Sequence, residues 1–203
     1  MTLGQLTSEI SRCDVCRDHL PLGPRPVVQV SDSARILIIG QAPGTRVHES
    51  GIPWDDKSGD RLRQWMGVTS LEFYDQRHVA IMPMGFCYPG RNDKNGGDNP
   101  PRPECAPLWH DRILALIDKN IQITLLVGSY AQQRYLKGNK PKSMTDTVHN
   151  WRQYGPALMP LPHPSWRTTG WLVKNPWFEK EVLPELQVRI NTVTGDKKDG
   201  NCH

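Results

Sequence analysis

Residues 34–40 read ARILIIG, and residues 41–44 directly after them read QAPG. The first stretch is apolar at consecutive positions, rich in β-branched residues and closed by glycine, which predicts a strand buried on both faces. Three further apolar runs follow at residues 78–86 (HVAIMPMGF), 123–128 (ITLLVG) and 157–161 (ALMPL). The chain is therefore expected to contain four buried strands.

Helical patterns lie between these strands. Residues 59–66 (GDRLRQWM) form a short one, and residues 105–120 carry apolar side chains along one helical face. Further helices are predicted at residues 129–136, 143–154 and 175–190, each opening on a serine or on Asn-Pro. Strands that alternate with helices predict an α/β fold, a three-layer α/β/α sandwich around a central, mostly parallel four-stranded sheet.

The length and composition fit one domain. We expect residues 1–190 to form it, with a short N-terminal CxxC segment, and residues 191–203 to be a flexible polar tail. The net charge of +4 permits binding to phosphate groups but is equally compatible with ordinary solubility. No apolar run approaches the roughly 18 residues of a membrane span, so we expect a cytoplasmic protein with no membrane partner. We also expect it to be a monomer.

Unusual loops follow all four predicted strands. In parallel α/β sheets, ligands bind beyond the carboxyl ends of the strands. Here those ends lead into GQAPG (40–44), MGFCYPG (84–90), VGSYAQQ (127–133) and LPHPSW (161–166). The GQAPG loop lacks the glycine spacing of a dinucleotide fingerprint and the lysine of a P-loop, which argues against a nucleotide cofactor.

The cysteines suggest a metal centre. Cys13 and Cys16 have a chelating CxxC spacing, while Cys87 and Cys105 bracket a Gly-, Pro-, Asn- and Asp-rich loop that cannot pack a core. A metal gripped by the ends of this loop would fix its path. Four thiolates suit zinc or a [4Fe–4S] cluster equally, and unconnected free thiols remain the alternative. Cys202, in the polar tail, is interpreted as a bystander.

The order of these motifs resembles that of the iron-sulfur, family 4, uracil-DNA glycosylases. The shared pattern runs from CxxC through GQAPG, GIPW and SGDRL to the loop between two cysteines and a late HPS, over roughly residues 13–167. The resemblance implies the uracil-DNA glycosylase fold and excision of uracil, or another deaminated or damaged base, from DNA. It also implies that Cys13, Cys16, Cys87 and Cys105 bind a [4Fe–4S] cluster, with zinc as the alternative.

The resemblance assigns a role to the loop that follows the first strand. The family's loop that lines the base pocket and positions water matches Gly40, Gln41, Ala42, Pro43 and Gly44, with glutamine in place of the family's glutamate.

Two single positions correspond to functional positions of the family. Trp54 stands where the family has an aromatic residue that stacks on the extruded base, and Pro83 stands where uracil glycosylases carry a base-reading asparagine. A proline has no side-chain amide, so this position departs from the uracil-reading pattern.

The resemblance also assigns roles after the last strand. His163 matches the histidine that stabilises the departing base anion, and the loop that enters the duplex matches Ser165, Trp166 and Arg167. The alternative for His163 is a hydrogen bond to the backbone of a stiff turn, and the alternative for Trp54 is core packing.

The chemistry needs a group that activates water. A glycosylase flips a base out of the stack, hydrogen-bonds the leaving base and delivers water to the sugar. Gln41 cannot accept a proton, so we predict that Asp55 or Asp56 does, with Glu49 behind them. Surface ion pairs with the neighbouring Lys and Arg are the alternative for these aspartates.

Two other classes of function stay open. The departures at Gln41 and Pro83 are compatible with a protein that binds DNA or a base without cleaving it. A zinc-stapled domain whose pocket binds a protein or small molecule is the third possibility. The metal content and the salt dependence of DNA binding distinguish the three classes.

Overall fold

The computed structural model of the protein describes residues 1–92, 96–136 and 143–195. Each predicted strand is present and shorter than its apolar run: β1 Ile36–Ile39, β2 Val79–Ile81, β3 Ile123–Val127 and β4 Leu158–Leu161. The sheet order is β2-β1-β3-β4, and all three pairings are parallel. In the β1 register, Ile38 lies opposite Ile81 on one side and Leu125 on the other.

Helices surround the sheet. Within the described residues the α-helices are α1 Leu3–Ser11, α2 Thr45–Ser50, α3 Lys57–Met66, α4 Ser70–Tyr74, α5 Cys105–Ile117, α6 Ser129–Tyr135, α7 Met144–His149, α8 Thr168–Lys174 and α9 Leu183–Thr194. Short 3-10 segments occupy Arg17–His19, Asp118–Asn120 and Trp151–Tyr154, and Phe178–Val182 is π-helical.

The two faces of the sheet are covered by different helices. Because successive strand side chains point to opposite faces, β1 contributes to two separate cores. Ile36 and Ile38 pack with apolar residues of α3 and α9, whereas Leu37 and Ile39 pack with residues of α1 and α5. All four side chains are buried, which confirms the three-layer α/β/α sandwich.

Several helix boundaries differ from the prediction. Helix α3 begins at Lys57 because the Asp56 carboxylate accepts a hydrogen bond from the backbone N–H of Gly59 (2.8 Å) and caps it. Gly128, not a serine, precedes α6, and a 3-10 turn continues α5. The Asn175 side chain accepts from the Trp177 indole (3.2 Å) and not from a backbone N–H of the helix that follows; Asn175 itself is the C-terminal cap residue of α8.

The C-terminal boundary differs as well. Helix α9 runs to Thr194, so residues 191–194 of the predicted tail are helical. The remaining tail residues 196–203, which include Cys202, lie outside the described residues.

Candidate active site

A cavity of about 450 Å³ opens at the carboxyl ends of the strands. All but one of the predicted catalytic and substrate-binding residues line it: Gly40, Gln41, Ala42, Pro43, Gly44, Trp54, Asp56, Pro83, His163, Ser165 and Arg167. The exception is Asp55. We call this cavity the base pocket. Its volume lies within the range of small-molecule sites, about 300–1,000 Å³.

The GQAPG loop is tied to the loop that follows β2. The backbone N–H of Met84 donates to the carbonyl of Gly40 (2.9 Å), and that of Gly85 donates to the carbonyl of Gln41 (3.0 Å). A β-carbon added to Gly40 would lie 2.7 Å from Cζ2 of Trp54, so the indole packs directly on this glycine. The loop therefore fixes one wall of the base pocket.

Trp54 has an unusual backbone conformation. Its φ of 59° is positive, which no other non-glycine residue shows in the described part of the chain. A bulky residue rarely adopts this conformation, and such strain tends to occur at functional sites. The Arg63 guanidinium donates to the Trp54 carbonyl (3.3 Å), and the Tyr74 hydroxyl donates to the carbonyl of Pro53 (3.0 Å). These bonds hold the turn that presents the indole.

His163 lies beside this indole. The two rings have centroids 5.6 Å apart and planes inclined by 34°. The hydroxyl of Thr168 donates to the backbone carbonyl of His163. Burial lowers the pKa of the imidazole to about 4, and the negative charge of Asp56 opposes this shift. The ring is therefore neutral at neutral pH and carries one N–H that can be donated.

Asp55 and Asp56 point into different regions. Asp56 lines the base pocket and caps α3, while Asp55 lines a separate groove with Ile52 and Tyr74. The carboxylate of Asp55 lies 3.9 Å from the Arg46 guanidinium, in an exposed pair. Such a pair contributes little to stability. Glu49 is exposed, and only its backbone carbonyl is engaged, by Arg25 (3.0 Å).

A third aspartate, Asp98, lines the pocket from the loop between Cys87 and Cys105. It is exposed at the pocket rim, but the surrounding protein still removes enough water from its carboxylate to raise its pKa. The charge of Asp56 raises this pKa further, and Arg91 and Arg167 oppose the shift. Sequence reasoning missed Asp98 because it lies in a Gly- and Asn-rich stretch with no periodic pattern.

The same loop touches the loop after β4. A β-carbon added to Gly97 would lie 2.7 Å from Nη1 of Arg167, so the guanidinium lies on the Gly97 backbone. The guanidinium of Arg167 also lies 5.5 Å from the ring of Trp166, which is 77% exposed. Arg61 of α3 donates to the carbonyl of Ser165 (2.7 Å) and holds this loop against the helix. The two loops therefore meet at the mouth of the base pocket.

The four predicted metal ligands line one small cavity, here called the cysteine pocket: Cys13, Cys16, Cys87 and Cys105. Among the described residues, no group of three or more His, Cys, Asp and Glu side chains is arranged to hold a metal ion. Burial raises the pKa of the Cys87 thiol to about 11 and that of the Cys105 thiol to about 12. Without a cation these thiols are neutral.

Two residues that line the cysteine pocket carry buried side-chain N–H groups. They are Nε of Arg102 and Nε1 of Trp109, and neither has a hydrogen-bond partner in the protein. Buried donors without a partner are uncommon and each requires an explanation. A group with several acceptor atoms in this cavity would satisfy both.

No helix in the part of the chain that the structure describes is long and apolar enough to cross a membrane. The family model of the uracil DNA glycosylase superfamily matches residues 27–187. This range includes every loop of the base pocket and the cysteines Cys87 and Cys105, and it begins after Cys13 and Cys16.

Proposed function

The chain belongs to the uracil DNA glycosylase superfamily and has a DNA glycosylase-like function; we propose that it excises uracil or another deaminated or damaged base from DNA. The reaction is hydrolysis of the bond between the base and C1′ of the deoxyribose. The flipped base would enter the base pocket, while the sugar and phosphates stay at its mouth.

The pairing of Trp54 with His163 carries this proposal. An indole provides a flat surface on which a base can stack, worth about 1–3 kcal/mol per base. The neighbouring imidazole is 5.6 Å away between ring centroids and is held neutral by burial. A stacking surface and a neutral hydrogen-bond donor at one wall fit a flipped base better than they fit a phosphate or a peptide.

The pocket residues supply the steps of excision. As the glycosidic bond breaks, its electron pair moves to the base, and the N–H of His163 stabilises the resulting anion by a hydrogen bond. The oxygen of a water molecule forms the new bond to C1′ and releases its proton to a carboxylate. Asp56 lines the pocket and can contact this water, whereas Asp55 faces another groove.

A second candidate function is recognition of a base or damaged site without cleavage. Two substitutions favour it: Gln41 cannot accept a proton, and Pro83 offers no side-chain amide. Pro83 is buried, and its carbonyl is already bonded to the His110 imidazole (3.0 Å). Pro83 therefore cannot read uracil as the family's asparagine does.

A panel of oligonucleotides separates the two candidates. Single- and double-stranded DNA carrying uracil, hypoxanthine or xanthine is incubated with the purified protein, and abasic product is measured. We expect release of at least one base, with His163→Ala lowering the single-turnover rate by about 10²–10³-fold. Asp118→Asn is the control, because Asp118 is exposed and lies in the segment before β3, at the edge of the sheet opposite to the base pocket. Tight, salt-dependent binding with no product from any oligonucleotide would favour the non-cleaving function instead.

We also propose that the cysteine pocket binds a [4Fe–4S] cluster, with zinc as the alternative. The four thiols supply the right ligand number, and the cluster's sulfides would accept hydrogen bonds from Arg102 Nε and Trp109 Nε1. Thiolates bound to zinc also accept N–H hydrogen bonds, so the choice of the cluster over zinc rests on the resemblance of the motifs to the iron-sulfur enzymes. When bound, the group would brace residues 88–104 at both ends.

Protein purified without oxygen tests this assignment. A cluster predicts brown protein with roughly four irons and four sulfides per chain, whereas zinc predicts colourless protein. In Trp109→Phe one N–H donor is lost, so we expect the reduction potential to fall because the more negative reduced cluster loses a stabilising hydrogen bond. Trp151→Phe is the control, since Trp151 is equally buried in the opposite core. Unchanged potential in Trp109→Phe would contradict the proposed contact.

A further inference from the structure

The base pocket contains two carboxylates from segments far apart in sequence. Asp56 comes from the start of α3 and Asp98 from the loop between Cys87 and Cys105. We propose that Asp98 is the general base that activates the attacking water, and that Asp56 orients the same water. This inference rests on the proposed glycosylase function and gives the proton-accepting role, which Gln41 cannot fill, to a residue outside the GQAPG loop.

Both carboxylates face Gly44. A β-carbon built on this glycine would lie 3.4 Å from Oδ2 of Asp98 and 4.0 Å from Oδ2 of Asp56. The two oxygens therefore border the same space beside the Gly44 backbone, and this is where the proposal places the attacking water. Since glycine has no side chain, this space is left open.

The two aspartates are suited to different tasks. One oxygen of Asp56 accepts the N–H of Gly59, which fixes the carboxylate and leaves Oδ2 to orient a water. Asp98 makes no such cap, and partial desolvation of its carboxylate together with repulsion from Asp56 raises its pKa. A carboxylate with a raised pKa is a stronger base than an ordinary aspartate. The charged groups that face it are Asp56, Arg91 and Arg167.

The location of Asp98 fits the position of the sugar. The base is expected to lie deep, against Trp54 and His163, so C1′ of the deoxyribose would lie nearer the mouth. Asp98 is at that mouth and is exposed there. In the reaction, the water oxygen bonds to C1′, the glycosidic electron pair leaves with the base, and the water proton moves to Asp98. Asp98 then loses this proton to solvent, which restores the carboxylate.

The loop holds Asp98 in place through its own backbone. Arg91 and Asp98 form an antiparallel bridge, and the Asn99 side-chain amide donates to the carbonyls of Pro89 and Arg91, each at 3.2 Å. Gly97, next to Asp98, lies under the Arg167 guanidinium. These contacts anchor the residue between the loop ends and the opposite lip of the pocket.

Single-turnover excision as a function of pH tests the inference, using an oligonucleotide that the wild type cleaves. In Asp98→Asn we expect a rate about 10²–10⁴-fold lower, unchanged DNA affinity, and loss of the fall in rate that the wild type shows at acidic pH. Asp118→Asn should match the wild type within about twofold. Added formate should partly restore Asp98→Ala, because a small carboxylate can occupy the vacated space.

Two results overturn the inference, and they are distinguishable. If the wild type cleaves DNA and Asp98→Asn keeps its rate and its acidic fall, Asp98 is not the base although the glycosylase function stands. If the wild type cleaves none of the oligonucleotides while binding them, the proposed function fails and the inference fails with it. A melting curve for Asp98→Asn that matches the wild type shows that loss of rate is not loss of folding.

Discussion

Acid should destabilise this protein through His110, a fully buried histidine of α5. Its Nε2 lies 3.0 Å from the carbonyl of Pro83, and its Nδ1 lies 2.7 Å from the hydroxyl of Tyr135. A carbonyl only accepts, so Nε2 carries the proton and Nδ1 accepts from the tyrosine. The ring also stacks on Phe86 with centroids 5.7 Å apart. Protonation of Nδ1 would break this arrangement.

The magnitude follows from the pKa. Burial lowers the pKa of His110 from 6.5 to about 4, while the hydrogen bond to Pro83 opposes the shift. The unfolded chain therefore takes up a proton near pH 6.5, but the folded chain does so only near pH 4. Between these values stability falls as the pH falls, by about 2 kcal/mol at pH 5 and about 3 kcal/mol in the limit.

Denaturant unfolding at pH 7 and pH 5, followed by far-UV circular dichroism, measures this loss. His110→Gln keeps an amide that can donate to Pro83 and does not titrate, so its stability should fall by about 2 kcal/mol less than that of the wild type over this interval. His149→Gln, at an exposed position, should follow the wild type. Any contribution of His163 is common to all three proteins and cancels. If His110→Gln and the wild type lose equal stability, the ring is not kept neutral by burial and the reasoning is refuted.

Three further substitutions test the packing around the base pocket. Gly40→Ala places a methyl 2.7 Å from the Trp54 indole, so we expect the free energy of unfolding to fall by about 1–3 kcal/mol. The rate of excision should fall further than the unfolded fraction of the variant explains, because the methyl displaces the indole. Gly59→Ala places its methyl 1.8 Å from the Trp54 carbonyl, which no side-chain rotation relieves, so destabilisation of about 3 kcal/mol is expected by denaturant titration. Thr69→Ala removes the capping box that Thr69 forms with Glu72 and should cost about 1 kcal/mol with excision unchanged; altered excision would show that α4 affects the pocket.

Local patterns predicted the fold because its main elements have strong signals. Consecutive apolar residues in ILII can be buried on both faces only between two layers of helices, and β1 is an inner strand flanked by β2 and β3. The superfamily suggested by the motifs is confirmed by the family match, while its iron-sulfur branch remains a prediction. Helices α1, α2, α4 and α8 were not predicted. Three of them have only five to seven residues, too few to show a period, whereas the equally short α6 and α7 were predicted from a serine at their start.

The site was predicted only in part. The switch-point rule brought the loops after β1, β2 and β4 to one cavity, since the carboxyl ends of parallel strands share one edge, whereas the loop after β3 (127–133) does not line it. The rule could not tell which of Asp55 and Asp56 lies in the cavity. That choice depends on a single backbone turn, in which the positive φ of Trp54 and the cap on Gly59 aim one carboxylate inward and the other outward.

The sequence by itself determined the sheet, its burial between helices and the edge at which a ligand can bind, because these depend on periodicity and on chain direction. It also supplied the cysteines with a spacing suited to chelation. Only the tertiary structure decided that Asp98 and Asp56 both border Gly44, and that Arg102 and Trp109, which line the cysteine pocket, have buried N–H groups without a partner. Such contacts join residues separated by long stretches of chain, and their distances are set by packing that no local pattern encodes.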